Sequence, residues 1–157
     1  MSDPRYLTAV LVGAVASTTL LAVPASASTA SSMRAAVIRL TNVERAKVGC
    51  PPLRSSTALN RAAQRHSSDM AEHDFIEHTG SNGSTLTHRA EAAGYTGWKT
   101  LAENVVGGPE TAAEAVDSWM DSPGHRANIL NCSLKHVGVG YVKTSGIYWT
   151  QDFGDLN

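Results

Sequence analysis

Val137-Gly138-Val139-Gly140-Tyr141-Val142, the turn Thr144-Ser145-Gly146, and Ile147-Tyr148-Trp149-Thr150-Gln151-Asp152-Phe153 decide the fold class. In the first run Val137, Val139 and Tyr141 alternate with Gly138, Gly140 and Val142, the period of a strand. After the turn, Ile147, Trp149, Gln151 and Phe153 fall on one face of a second strand, so the pair reads as a β-hairpin. One earlier segment, Trp98 to Val106, also reads as extended and is closed by Gly107-Gly108-Pro109. The rest of the chain after the N-terminus is helix and loop. Helices first and a hairpin last predict an α+β fold, with helices packed on a small, mostly antiparallel sheet.

Working back from the hairpin, Ser122-Pro123 is a helix start, an N-cap followed by proline at the first helical position. That short helix runs through Ile129 and Leu130. Thr111-Ala112-Ala113-Glu114 is a capping box, in which hydroxyl and carboxylate each accept from a free backbone N–H. It opens a helix carrying Val116, Trp119 and Met120. A third helix is expected from Thr85 to Ala93, stopped by Gly94. Thr57 to His73 has the clearest apolar stripe, with Leu59, Ala62, Ala63, His66 and Met70 at helical spacing. Met33 to Lys47 is the first expected helix, ended by Gly49 and followed by an extended turn at Pro51-Pro52.

The N-terminus reads as a secretory signal over residues 1–27. Arg5 precedes an apolar run from Leu7 to Val23, Pro24 ends it, and Ala25-Ser26-Ala27 offers small residues for cleavage. A retained anchor is the alternative, but it needs about 20 predominantly apolar residues, and Gly13 and Ser17-Thr18-Thr19 interrupt this run. No cysteine follows the small-residue site and no apolar tail ends the chain. The expectation is a secreted, extracellular, monomeric protein without a stable membrane anchor. Residues 28–32 read as a short flexible spacer and 33–157 as one domain.

Lysine plus arginine number 13 against 14 aspartate plus glutamate, a net charge of −1 with both signs interspersed. That excludes the basic stripe of a nucleic-acid binder. The two cysteines, Cys50 and Cys132, favour a disulfide in an oxidising compartment; two buried free thiols are the alternative.

Six histidines invite a metal or acid–base reading. His66 sits on an apolar helix face and reads as a satisfied, partly buried residue. His73 suits the end of its helix. His88 and His136 carry no local context. His78 and His125 differ, since both fall at helix–loop junctions, where functional side chains are displayed, and Gly124 beside His125 permits close approach. Glu103, in an otherwise apolar strand, needs a partner. The three form a divalent-metal set, an acid–base set, or three unrelated polar residues. No zincin spacing and no Gly-x-Ser-x-Gly elbow are present.

Several segments, in this order, resemble the CAP superfamily (cysteine-rich secretory proteins, antigen 5 and pathogenesis-related 1 proteins), and within it the bacterial SCP-like extracellular proteins. They are Ala62 to Ala71, Phe75-Ile76-Glu77-His78-Thr79, Ala102-Glu103-Asn104-Val105, Trp119 to Leu130, Val137 to Gly140 and Tyr148 to Gly154. Asn42, Arg45 and Gly49-Cys50-Pro51-Pro52-Leu53 fit the same pattern. The resemblance implies a three-layer α-β-α sandwich around a mostly antiparallel sheet. It also implies a cleft to which His78, Glu103 and His125 contribute, the histidines holding a divalent ion, often zinc. The family's eukaryotic members place a second cleft acid three residues after the helix tryptophan, where this chain has Ser122. Arg126-Ala127-Asn128 stands where those members have Tyr-Thr-Gln.

Three functions follow as expectations. The first is metal binding by His78 and His125, with Glu103 orienting a histidine or bonding a metal-bound water. The second is a metal-dependent extracellular hydrolase, a peptidase or esterase with Glu103 as base. The third is a module for an unknown extracellular lipid, sterol, peptide or protein, displaying Tyr95, Trp98 and Gly107-Gly108 unless these pack in the core.

Overall fold

The computed structural model describes residues 25–156. The expected signal segment falls mainly on residues 1–24, which lie outside the described residues. Nine elements follow in order: α1 (Ala25–Lys47), β1 (Arg54–Ser55), α2 (Thr57–His73), α3 (Leu86–Ala92), β2 (Trp98–Gly107), α4 (Ala112–Asp121), α5 (Pro123–Ile129), β3 (His136–Lys143) and β4 (Ile147–Leu156). The sheet order is β1-β3-β4-β2. β3 with β4 and β4 with β2 are antiparallel, while β1 runs parallel to β3. α2 and α3 cover one face, and α1, α4 and α5 pack around the other. The α+β sandwich read from the sequence is the observed fold.

Between two helical layers β4 has no wet face. Every residue from Ile147 to Asp155 is buried, so the face opposite Ile147, Trp149, Gln151 and Phe153 is as dry as theirs. Trp119, Trp149, Phe153 and Ile129 are the large side chains of the main core. On β3 the alternating glycines have a packing reason. A Cβ at Gly138 would strike the Leu59 and Asn60 backbone, and one at Gly140 the Ala63 carbonyl, so α2 lies directly on the strand.

β1 pairs with only the first two residues of β3, and α2 covers the edge that remains. The Val139 and Tyr141 N–H groups donate to Asn60 Oδ1 (2.9 Å) and Gln64 Oε1 (3.2 Å), and Gln64 Nε2 returns a bond to the Tyr141 carbonyl. Side-chain amides thus stand in for a neighbouring strand on an edge that would otherwise invite pairing.

One expectation needs correction and two are sharpened. The stretch 28–32 is helical, because α1 begins at Ala25 rather than Met33; Ala30 and Met33 pack against the main core, which carries the helix back through the small polar residues. Ser122 occupies the N-cap of α5, but its hydroxyl makes no capping bond; it is also the C-cap of α4, where its N–H donates to the Trp119 carbonyl. Tyr95 is buried with Leu59 and Ala90, and half-buried Trp98 packs on the same cluster, which is the core packing that stood as the alternative to display.

Cys50 and Cys132 form the disulfide, across 82 residues of chain. Beside it Arg45 is fully buried and donates five bonds to carbonyls of Pro51, Ile129, Asn131 and Leu134. These clamp the end of α1 to the α5–β3 connection. Among the described residues no helix is long and apolar enough to cross a membrane.

Candidate cleft site at His78, Glu103 and His125

Glu103 lies in the middle of β2 with a side chain only 3% exposed. Its carboxylate is held from two sides. Arg89, buried on α3, donates from Nη2 to Oε2 at 2.7 Å, and His78 Nδ1 lies 2.9 Å from Oε1. Burial alone would raise the Glu103 pKa, but the His78 bond and the Arg89 charge outweigh it and hold the carboxyl below its ordinary range.

His78 stands on the loop that leaves α2. Asp74 ends the helix in the left-handed conformation at φ 53°, and Tyr148 donates its hydroxyl to Asp74 Oδ1 at 2.7 Å. Phe75 packs with Met70, Val105 and Tyr148. The next residues are fixed through the backbone: His66 Nε2–H donates to the Glu77 carbonyl (2.8 Å) and Arg89 to that of His78 (3.0 Å). His66 is therefore a fully buried structural residue, kept neutral by burial. Because Nδ1 of His78 donates to Glu103, its Nε2 carries the free lone pair. The bond to Glu103 raises the His78 pKa against the opposing effect of burial.

His125 is the third residue of α5. That helix is docked by amides: Asn104 Nδ2 donates to the His125 carbonyl, and Asn128 Nδ2 to Asn104 Oδ1 and to the Glu103 carbonyl. Gln151 extends the chain to Thr41 on α1. The result brings the His125 ring to 6.4 Å from that of His78, centroid to centroid, at 63°. Burial and the neighbouring His78 lower the His125 pKa, so the two imidazoles titrate apart.

The structure thus gathers His78, Glu103 and His125. Ser122 stays at the α4–α5 joint. Two residues outside the expected set complete the site, Arg89 and Asp152. Asp152 sits opposite Glu103 in the β2–β4 register. Its signal in the sequence is weak, since it follows Thr150 and Gln151 and precedes a second acid, Asp155, on the same strand.

Chemically, a lone pair on His78 Nε2 and a second imidazole beside it can accept a proton or bind a soft-to-borderline cation. Glu103 has both oxygens engaged and is nearly inaccessible, so it orients His78 and is poorly placed to deprotonate water. Among the described residues no group of three or more His, Cys, Asp or Glu converges as a metal centre. A groove of about 480 Å³ lies elsewhere, between α1 and α2 at Arg34, Ile38, Arg61 and Arg65.

A model of the Cysteine-rich secretory protein family (CAP) matches residues 38–153. The chain is 39% identical over 126 residues to the Bacillus subtilis protein YkwD, covering 80% of this chain and 48% of that one. It is 32% identical over 117 residues to the membrane protein YlbC of the same organism, covering 74% and 33%. The chain therefore spans half or less of the length of these curated relatives. Among solved structures, an extracellular SCP-domain protein of Bacillus anthracis superposes with a TM-score of 0.78 at 25% identity, over 88% of this chain and 45% of that one. An outer surface protein of Borrelia burgdorferi superposes at 0.71 and 21% identity, over 77% and 90%; that likeness is one of fold.

Proposed function

The chain belongs to the cysteine-rich secretory protein (CAP) family, and from that membership we propose that it is an exported CAP domain whose cleft binds a divalent cation, zinc by its donor chemistry, through His78 and His125. The observation that carries the reading is the 2.9 Å bond from His78 to Glu103. Metal-binding histidines commonly donate their other ring N–H to a carboxylate, which fixes the tautomer and strengthens the donor nitrogen. The two rings are neighbours, 6.4 Å apart centroid to centroid, and imidazole nitrogens are ordinary zinc donors. Bound there, the ion would supply a Lewis-acid centre for an oxygen of a ligand. Two protein nitrogens leave the rest of its coordination to solvent or ligand, so affinity is modest and reversible.

Export is supported by the sequence of the N-terminus and by the disulfide. The names of the solved neighbours, an extracellular protein and an outer surface protein, agree with it.

Calorimetry of the protein with Zn²⁺ tests the site. Heat of one-to-one binding is expected at about pH 7.5, above the ordinary imidazole pKa, and should fall on acidification. It should vanish in both His78→Ala and His125→Ala. No heat from the wild type, or equal heat from either variant, ends the metal reading.

A further inference from the structure

Beneath the histidines lies a second acid. Asp152 on β4 stands directly across from Glu103 on β2. It is wholly excluded from solvent, and neither of its oxygens is reached by an N–H or O–H donor of the described protein. The group it meets is the Glu103 carboxylate. Both are acceptors when ionised, and such a contact becomes a hydrogen bond only when one carries a proton.

Counting the charges around the pair decides which state is tolerable. Arg89 from α3 is the one buried guanidinium that bonds here, and it bonds Glu103. His78 is largely exposed and also bonds Glu103. His66 from α2 is neutral. On its other side β3 presents Gly138 in register with Asp152, which brings no charge. One buried cation offsets one carboxylate. A second ionised carboxylate beside it would be desolvated and repelled, with only the Arg89 charge, already bonded to Glu103, to offset the cost.

We propose that Asp152 is the second acid of this cleft, and that at neutral pH it holds a proton and donates it in a hydrogen bond to the Glu103 carboxylate. The second acid then comes from the central strand and not from the Ser122 position at the α4–α5 joint. Burial and the Glu103 charge both push the Asp152 carboxyl well above its ordinary pKa, with Arg89 opposing. Glu103 gains a third contact beside His78 and Arg89, which fixes its rotamer and keeps it anionic toward His78. Asp152 is thus a positioning residue, acting through Glu103. Its bearing on the cleft rests on the reading of the histidines above, but its protonation does not.

Carboxyl NMR of the protein labelled with ¹³C-aspartate and ¹³C-glutamate, without added metal, tests it directly. One aspartate carboxyl, assigned to Asp152 by its backbone connectivity, should remain protonated at neutral pH, where an ordinary aspartate is ionised. Asp152→Asn supplies a second readout, since an amide N–H can still donate to Glu103. The unfolded wild type loses its Asp152 proton near pH 4 and the folded one does not, so the wild type loses stability as pH rises. The Tm of Asp152→Asn relative to wild type should therefore climb between about pH 4 and 7. An Asp152 carboxyl ionised at pH 7, or a relative Tm that stays flat with pH, overturns the inference. Neither readout involves metal, so a protein that fails to bind zinc but keeps this protonated carboxyl would lose only the metal reading.

Discussion

Two arginines sink into this molecule and are answered in opposite ways. Arg45 is fully buried and Arg89 is 7% exposed. Arg45 spends every nitrogen on neutral carbonyl oxygens at 2.8–3.1 Å, beside a disulfide. Arg89 divides its guanidinium between the Ser84 and His78 carbonyls and the Glu103 carboxylate, and its Nε finds no partner. The first closes a joint between segments far apart in sequence. The second holds a negative charge in a dry place, next to an acid that lacks a donor and a histidine that reaches solvent. Burying a cation against carbonyls makes a rigid joint whose energy ignores pH. Burying one against a titratable chain makes a site whose energy follows pH.

The contrast should be plain in two variants of the full protein, unfolded in urea. Arg45→Met removes the donors from four carbonyl groups. At about 1–3 kcal/mol for each buried unsatisfied group, the loss is about 5 kcal/mol, a large part of the 5–15 kcal/mol typical of a domain. This cost should be the same at pH 4 and pH 7, because the groups that Arg45 bonds are backbone carbonyls, which do not titrate. Arg89→Met leaves Glu103 buried without its cation and should cost about 3–5 kcal/mol at neutral pH. Its sign with pH is fixed by Glu103, whose folded pKa is depressed. The stability it contributes is present above its unfolded pKa and is lost as pH falls through the folded value. The Arg89→Met penalty should therefore shrink on acidification while that of Arg45→Met stays level. Parallel curves would break the comparison.

The sequence announced the joint less clearly than the site. Nothing around Arg45 marks it as buried, because its partners are backbone carbonyls 6 to 89 residues away and carbonyls leave no residue signature. The capping box at Thr111–Glu114, with both of its bonds present, was readable because its chemistry is local. β1 was not, since two residues carry no periodicity and its place is set by parallel pairing to β3. The start of α1 was missed because Ser28-Thr29-Ala30-Ser31-Ser32 is spacer-like alone and helical only where Ala30 and Met33 find the core. In the cleft, His78 and His125 showed themselves at helix–loop junctions and Glu103 by its apolar neighbours. Asp152 sits among polar residues, Thr150, Gln151 and Asp155, and gains meaning only once the register places it against Glu103. A buried acid can be suspected from sequence, whereas the identity of its partner is a fact of pairing.

The smallest expected effect lies at the solvent end of the Arg89 chain and tests how far the site's pH dependence extends. The Glu103 bond raises the His78 pKa in the folded protein. Stability from that bond is thus fully present below the unfolded value near 6.5 and is lost as pH rises through the folded one. The His78 side chain is 58% exposed, so solvent screening should hold the effect below about 1 kcal/mol. His78→Gln, which cannot become a cation, should lose Tm relative to wild type at about pH 5.5 and match it more closely at pH 8. In the background of Glu103→Gln that difference should disappear, because a neutral amide gives the imidazolium no anion to face. If the pH-dependent difference survived there, His78 would be answering some other charge, and the Arg89–Glu103–His78 chain would end at Glu103.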